Sequence, residues 1–381
     1  MDTRIGIMKK LLIALAGVAA LCGCKSQETP ALLPSSAFER VIDGRQTSLY
    51  TIKGGDITIQ LTNFGARVVS IWAPDRDGTL SDICPGYGDI DTYINNPGER
   101  FLGPVVGPVA NRICKGTFTL DGETFHTPLN NDGNTLHGGF TGVDLMVWDV
   151  TAQSDSSITM SVLHPDGQEG WPGNLSITAT FTVSGDDELK VSYTAETDKA
   201  TPVNLSSHTF FNLTGDTSRS ILDHELIINS SLSTAIDSLL IPTGEVVSLD
   251  GSPLDFRQAK KIGQDVGMDN DQLHNGYGYD HNWCLDRATA DGIEFAASMY
   301  EPQSGRYMEV WTDQPGLQFY CGNFFTGNEL DKHGKPIGYR CAFVFETQKW
   351  PDAVNHDNFP DTILRPGKTY THNCIYKFSA K

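Results

Sequence analysis

The stretch from residue 175 to residue 197, LSITATFTVSGDDELKVSYTAET, decides the fold class of this chain. Apolar residues alternate with polar ones from Leu175 to Val183 and again from Leu189 to Ala195, on either side of a Ser-Gly-Asp-Asp turn. Alternation with a period of two places the apolar side chains on one face of a strand. Two such runs around a Gly/Asp turn predict an antiparallel hairpin with one buried face.

The same pattern continues outward from this hairpin. Ile158, Met160 and Val162 alternate upstream of it, and the segment 57–61 does so nearer the N-terminus. Sustained helical periodicity is hard to find, and 38 Gly and 19 Pro indicate many turns between short strands. The chain therefore predicts an all-β protein, a large antiparallel β-sandwich in a single domain, with polar side chains from strands and loops forming a cleft.

The N-terminus has the pattern of an export signal. Lys9 and Lys10 precede an apolar run, LLIALAGVAAL (11–21), that is too short to span a bilayer comfortably. Basic residues, an apolar run and small residues in this order are typical of a secretory signal. The following LCGC (21–24) resembles the bacterial lipobox, which implies lipidation at Cys24. We therefore expect an extracytoplasmic lipoprotein, anchored to a membrane through this lipid alone and facing the periplasm.

Three regions follow from this pattern. Residues 1–23 are the predicted lipoprotein signal peptide, and residues 24–36 are polar and carry two prolines, which is typical of a tether. Residues 37–381 show no second linker and form the predicted folded domain.

Charge and cysteine content exclude two classes of protein. Lys and Arg number 28 against 47 Asp and Glu, for a net charge of −19, so a nucleic-acid partner is not expected. No CxxC pair is present after the signal, which argues against a zinc ribbon. Most of the six later cysteines are expected to be buried free thiols, and their pairing is left open: Cys84, Cys114, Cys284, Cys321, Cys341 and Cys374.

Four short segments place titratable or amide side chains in apolar or Gly-rich surroundings. They contain Asn111-Arg112, His137, His208 and Glu346. A carboxylate flanked by Val and Phe is costly to bury unless it is paired or used. Each residue taken alone is still better explained as a hydrogen-bonded structural group, so it is the set that indicates a site.

Together these segments resemble the aldose 1-epimerase (galactose mutarotase) family. The resemblance runs from about Gly65 to Tyr376, and the motifs keep the family's order. The segments that carry it are NFGARVVSIWAPDRDG (63–78), GPVVGPVANRICKGTFTLDGETF (103–125), NTLHGG (134–139), SSHTFFNL (206–213), YDHNWCL (279–285), GLQFYCGNF (316–324) and FVFETQKWPDAVNHDNFPDTILRPGKTY (343–370).

The resemblance implies a galactose mutarotase-like supersandwich and an isomerase that interconverts the α and β anomers of free aldohexoses such as glucose and galactose. It implies general acid/base ring opening and reclosure, with no cofactor and no metal. Carried over residue by residue, it makes His208 the acid, Glu346 the base and His137 an assisting group. The remaining implied substrate contacts are Asn111, Arg112, Asp280 and Gln318, with Thr209 and Phe210 lining the pocket.

Two positions depart from the family pattern. Phe210 stands where relatives often have Tyr, which removes a hydroxyl that could touch the sugar. Lys349 stands where His is frequent, three residues after the implied base. For an aromatic face against the sugar, the candidates are Trp283, Phe210 and Phe319, with core packing an equal alternative for the tryptophan.

Four other interpretations are weighed against this one. His, Asp and Glu side chains could bind a metal, but no two of the candidate residues lie at the close spacing of an HExxH motif. Two carboxylates could serve a glycoside hydrolase. A hexose-6-phosphate epimerase would need more basic residues than these motifs carry, and a non-catalytic sugar-binding lipoprotein would be free to lose the acid or the base. The preferred aldose and the oligomeric state are not readable from the sequence.

Overall fold

The computed structural model describes residues 29–95 and 98–381. The predicted signal peptide and the lipidated Cys24 lie outside the described residues. Strands dominate the rest of the chain, and its helices are short. None of the helices in the described ranges is both long and apolar enough to cross a bilayer.

The hairpin at 175–197 lies in the largest sheet of the described chain, which has nine strands. Leu175 pairs with Thr197 and Val183 with Leu189, so the predicted antiparallel hairpin and its turn are confirmed. In spatial order the strands are Asp149–Gln153, Ser157–His164, Leu175–Val183, Glu188–Thr197, Tyr370–Ala380, Arg306–Thr312, Glu294–Tyr300, Glu225–Ile228 and Lys260–Lys261.

A second sheet carries much of the site and is called the site sheet below. It has six strands within the described residues, and all of its neighbouring strands pair antiparallel. In spatial order they are Phe210–Phe211, Phe343–Gln348, Gly316–Tyr320, Asp280–Cys284, Leu232–Ile236 and Pro242–Ser248.

Smaller elements complete the described part of the chain. A four-stranded sheet consists of Leu49–Gly54, Ile57–Thr62, Arg67–Pro74 and Leu80–Asp82. Strand pairs join Arg40–Ile42 to Arg45–Thr47, Val105–Val106 to Ser206–Ser207, Arg112–Ile113 to Thr135–Leu136, Thr117–Leu120 to Glu123–His126, and Thr201–Pro202 to Ile363–Leu364. The α-helices are Ile90–Asn95, Ile262–Asp265 and Asp271–Asn275, and the 3₁₀ turns are Ser35–Phe38, Cys114–Gly116, Val143–Leu145, Gln168–Gly170 and Ala353–Asn355.

One hydrophobic core joins the sheets. The inward residues of the hairpin, among them Phe181 and Val191, share a cluster with Phe319 and Phe345 of the site sheet and with Ile59 of the four-stranded sheet. Because strands of all three sheets bury their apolar faces in this one cluster, the chain folds as a single all-β domain, as the alternation predicts.

The beginning of the described chain is docked on the domain. The Leu33 backbone exchanges two hydrogen bonds with the Gln60 side chain, at 2.9 and 3.0 Å. Ser35–Phe38 then forms a 3₁₀ turn with Phe38 completely buried. The predicted tether reaches to residue 36, so its last residues are held against the domain.

The six cysteines of the described chain are free thiols. Cys114 is half-buried and the other five are buried, among them Cys374 in the main core. Burial raises the pKa of Cys374 to about 12, which keeps this thiol protonated and unreactive at neutral pH.

Candidate active site

A cavity of about 600 Å³ opens beside the site sheet. The predicted residues Asn111, Arg112, His137, His208 and Glu346 all line it, although they lie up to 235 positions apart in the chain (346 minus 111). Asp280 lines it as well. Sheet pairing brings these distant segments to one place.

The register of the site sheet decides which side chains face the cavity. Gln318 pairs with Glu346 on one side and with Asn282 on the other, so the three lie on one face of the sheet. Asp280, two residues from Asn282, lies on that face too, because side chains alternate along a strand. The strands are thus polar toward the cavity and apolar toward the core.

The same alternation decides two of the candidate aromatic contacts. Trp283 and Phe319 lie on the opposite face from Asp280 and Gln318, and both are completely buried in the main core. The Trp283 indole N–H donates to the Leu254 carbonyl at 3.0 Å. These rings support the sheet from behind and offer no face to the sugar, so Phe319 is excluded as a candidate and Trp283 follows its core-packing alternative.

His208 and Glu346 are in contact at the floor of the cavity. His208 Nε2 lies 3.5 Å from Glu346 Oε1, and both side chains are almost fully buried. Burial lowers the pKa of His208 to about 4. Burial also raises the pKa of Glu346 to about 8, with Asp280 adding to the effect and Arg112 opposing it. Between these values the pair holds one proton, and two groups this close titrate as a unit.

His137 is fixed in one tautomer by the backbone of Asn111. The Asn111 backbone N–H donates to the ring Nδ1 of His137 at 3.1 Å, and the backbone N–H of His137 donates to the Asn111 carbonyl at 3.0 Å. Both residues have left-handed backbones, with φ of 61° and 50°. Burial, followed by His208 and Arg112, lowers the pKa of His137 well below its usual range. The ring is therefore neutral, with its proton on Nε2.

This tautomer does not fit a metal site. One ligand atom from each of His137, His208 and Glu346 lies within 4.8 Å of the others, which is the cluster that a metal would need. A metal-bound His normally donates its second ring N–H to an acceptor. His137 Nδ1 instead accepts from a backbone N–H, so Nε2 carries a proton and has no lone pair for a cation.

Asp280 lines the cavity from the site sheet, and Arg112 lines it from a strand outside that sheet. Arg112 Nε donates to Asn131 Oδ1 at 3.1 Å, and the nearby charges of Asp280 and Glu346 counter the effect of burial on the pKa of Arg112. Gln318 Nε2 donates to Asp280 Oδ1 at 2.6 Å. Gln318 is not among the cavity-lining residues, so in this structure it orients Asp280 from the neighbouring strand.

The segment that follows Glu346 holds Arg112 in place. Asp352 donates its backbone N–H to the Arg112 carbonyl at 3.1 Å, and its carboxylate accepts from the Cys114 N–H at 3.0 Å. Asn355 Nδ2 donates to the same carboxylate oxygen at 2.7 Å. The motif PDAVN (351–355) thus ties the strand of the carboxylate to the strand of the arginine.

Thr209 and Phe210 do not line the cavity, which corrects the prediction for both. Thr209 is completely buried and its hydroxyl pairs with Ser207 Oγ at 2.8 Å. Phe210 is also completely buried and lies behind the His208 ring, with the centroids 5.0 Å apart. Lys349 points away, donating to the Asp361 carbonyl.

Sequence reasoning missed a loop that forms one side of the cavity. Glu99, Arg100 and Phe101 all line it. Arg100 makes a bidentate contact with Asp144 at 2.7 and 2.8 Å, and its guanidinium covers the Phe101 ring. The Phe101 ring in turn lies 4.7 Å from His137, centroid to centroid. These loop residues follow no periodic pattern that would have pointed to them.

Comparisons with known proteins identify the family of this chain. A family model described as aldose 1-epimerase matches residues 48–377. Galactose mutarotase from Rattus norvegicus is 38% identical over 88% of this chain and 95% of its own length. Aldose 1-epimerase from Escherichia coli K12 is 33% identical over 93% and 99%. The crystal structure of an aldose epimerase homologue from C. elegans superposes with a TM-score of 0.80 at 28% identity, covering 88% of this chain and 99% of its own. The chain therefore belongs to the aldose 1-epimerase family of carbohydrate isomerases.

Proposed function

We propose that His208 and Glu346 carry out anomer interconversion in this aldose 1-epimerase, acting on free aldohexoses such as galactose and glucose. The observation that supports this most directly is their 3.5 Å contact at the floor of the cavity. A titrating imidazole and a carboxyl that share one proton are what ring opening requires, since one group must release a proton while the other accepts one.

The proton count of the pair is conserved over the reaction. With these pKa values the shared proton rests on Glu346, and it must first pass to His208 across the 3.5 Å contact. Glu346 then accepts the proton of the C1 hydroxyl while His208 donates a proton to the ring oxygen. The bond between C1 and the ring oxygen breaks, and C1–O1 becomes a carbonyl. After rotation about C1–C2, the freed hydroxyl attacks the other face of the carbonyl and both protons return. The Nε2–H of His137 is a fixed donor for an oxygen that gains negative charge during these steps.

The charges around the cavity favour a neutral substrate. Its carboxyl groups are Glu99, Asp132, Asp280 and Glu346. Of its two arginines, Arg100 is occupied by Asp144. A sugar phosphate would bring two negative charges to a site with one available guanidinium, so a hexose-6-phosphate is disfavoured.

The activity should follow a bell-shaped pH profile. Below a pKa of about 4 both groups of the pair are protonated and no base remains. Above a pKa of about 8 both have lost their protons and no acid remains. We expect kcat/KM to be greatest between these values and to fall tenfold per pH unit beyond each. Exchange NMR of galactose and glucose anomers, corrected for the buffer rate, measures this.

Two results would contradict the proposal. The first is anomer exchange no faster than the buffer rate with every aldose of a panel that also includes xylose and arabinose, which would show that the protein lacks this activity. A single inflection near pH 6.5, the ordinary pKa of a solvent-exposed imidazole, would show that the buried pair does not control the rate.

The N-terminal sequence supports an extracytoplasmic location. Export by residues 1–23 and lipidation of Cys24 would place the enzyme on a membrane facing the periplasm. We expect the full chain to sediment with membranes and to incorporate labelled palmitate, and C24S to do neither. The adjacent C22S is the matched control and should behave as the unchanged chain. Equal labelling of C24S would refute lipidation at Cys24.

A further inference from the structure

Exposed aromatic side chains mark the mouth of the cavity. Tyr277 and Phe324 both line it, with 59% and 48% of their surface accessible to solvent. Single exposed apolar residues are common on protein surfaces. These two are in contact, with ring centroids 5.4 Å apart, and Phe324 in turn stacks on Tyr320 at 5.9 Å and 20°. The three rings form what we call the aromatic strip.

The aromatic strip runs from the floor of the cavity to its rim. Tyr320 is almost fully buried and pairs with Asp280 in the site sheet. The inner end of the aromatic strip is therefore fixed beside a predicted sugar contact. The Tyr320 hydroxyl accepts the Phe324 N–H at 2.9 Å, which fixes the middle ring. The strip is therefore continuous with the surface on which the reacting sugar would lie.

The outer end of the strip is held rigidly. Tyr277 has a left-handed backbone, with φ of 56°, which is uncommon for an aromatic residue. Arg340 donates to the Tyr277 carbonyl at 3.1 Å and to Asn323 Oδ1 at 3.0 Å. Asn323 Nδ2 then donates to the Gly276 carbonyl at 3.2 Å. An exposed ring on a strained, cross-linked backbone is the arrangement expected of a binding surface.

The cavity is larger than one sugar needs. A hexose fills roughly 200 Å³, scaled from the cavity of about 150 Å³ that holds a benzene molecule. The cavity measures about 600 Å³. With His208 and Glu346 at the floor, the unfilled part lies toward the rim. The flat C–H face of a second pyranose ring would bury apolar surface against the aromatic strip.

We propose that the aromatic strip is a binding subsite for the second sugar unit of a reducing oligosaccharide, and that the enzyme prefers such a substrate to the free aldose. This rests on the proposed function. Because the reacting unit must keep its C1 hydroxyl free, the second unit is linked through another oxygen of that unit. The reducing end lies at His208 and Glu346, and the neighbouring sugar stacks on Phe324 and Tyr277.

The test compares one disaccharide with its own reducing unit. Exchange NMR gives kcat/KM for maltose and for glucose with the unchanged protein, F324A, Y277A and F140A. Phe140 is the control, since it is 57% exposed and does not line the cavity. We expect the maltose-to-glucose ratio to exceed one in the unchanged protein and to fall about tenfold in F324A and Y277A, the effect of losing one stacking ring. F140A should keep the ratio.

Several outcomes would overturn the subsite. A ratio below one in the unchanged protein, or a ratio that is the same in all variants, would show that the strip does not contact a second sugar. If neither sugar turns over, the proposed function fails instead. The subsite is then judged by maltose binding in NMR titrations, where F324A should weaken binding at least fivefold and an equal affinity would refute the subsite.

Discussion

The variant Glu346→Gln loses anomer exchange almost completely while keeping its fold. An amide cannot accept the C1 hydroxyl proton, and a positioned base contributes about 10²–10⁴-fold to the rate. The shape of the side chain is retained, and so are its neighbour Gln318 on the adjacent strand and the cavity-lining Arg112. We therefore expect kcat to fall to near the buffer rate with KM little changed, measured by exchange NMR of galactose.

The same variant should be more stable than the unchanged protein above about pH 5. The pKa of Glu346 is raised by burial from its ordinary value near 4.5 to about 8. The folded state therefore binds more protons than the unfolded state between these values, so stability falls as pH rises through this window. Glutamine removes that loss, which amounts to about 1.4 kcal/mol per pKa unit and a few kcal/mol at most.

Glu301 provides the matched control for this stability effect. It is as buried as Glu346, does not line the cavity, and accepts the N–H groups of Ser304 and Gln303. Burial raises its pKa, but these hydrogen bonds outweigh burial and the net pKa is lowered. E301Q should therefore lower the melting temperature at pH 8, whereas E346Q raises it. A lower melting temperature in E346Q would contradict the raised pKa, and unchanged activity in E346Q would remove the residue from the mechanism.

The fold class was predictable because period-two alternation is a local signal. The hairpin at 175–197 has the predicted strands, turn and buried face, since each apolar side chain that alternates correctly is stabilised by the same core. How the strands are ordered was not predictable. The nine-stranded sheet places Tyr370–Ala380 between strands that precede it by about 60 to 190 residues, and such pairing depends on the whole chain.

The site was predictable through its motifs, and less so from geometry. The four motifs singled out Asn111, Arg112, His137, His208 and Glu346, and the structure places all of them on one cavity. Their chemical roles remain predictions. What failed was the choice of facing side chains.

Period-two alternation would have corrected that choice. In YDHNWCL, Trp283 is three positions from Asp280 and so faces the opposite side of its strand. In GLQFYCGNF, Tyr320 is two positions from Gln318 and does face the cavity. Loop residues such as Arg100 follow no such rule, and only the folded chain shows that they reach the site.

The variant His208→Gln should lose about 10²–10⁴-fold in kcat, because glutamine cannot deliver a proton to the ring oxygen. His137→Gln should cost roughly tenfold, since His137 donates one hydrogen bond and does not titrate near neutral pH. The centroids of the His137 and His208 rings are 5.0 Å apart, and the ring planes meet at 85°. Both variants therefore disturb the same region, and the difference between them measures the contribution of proton transfer by His208.

The double variant of His208→Gln and Glu346→Gln decides whether the two residues act as a unit. Groups that share one proton are grossly non-additive when removed, because either loss already stops the transfer. We expect the double variant to be no more than a few-fold slower than Glu346→Gln alone. If the two losses instead multiply, each residue acts on the sugar independently, and the 3.5 Å contact between Nε2 and Oε1 has no part in the proton exchange.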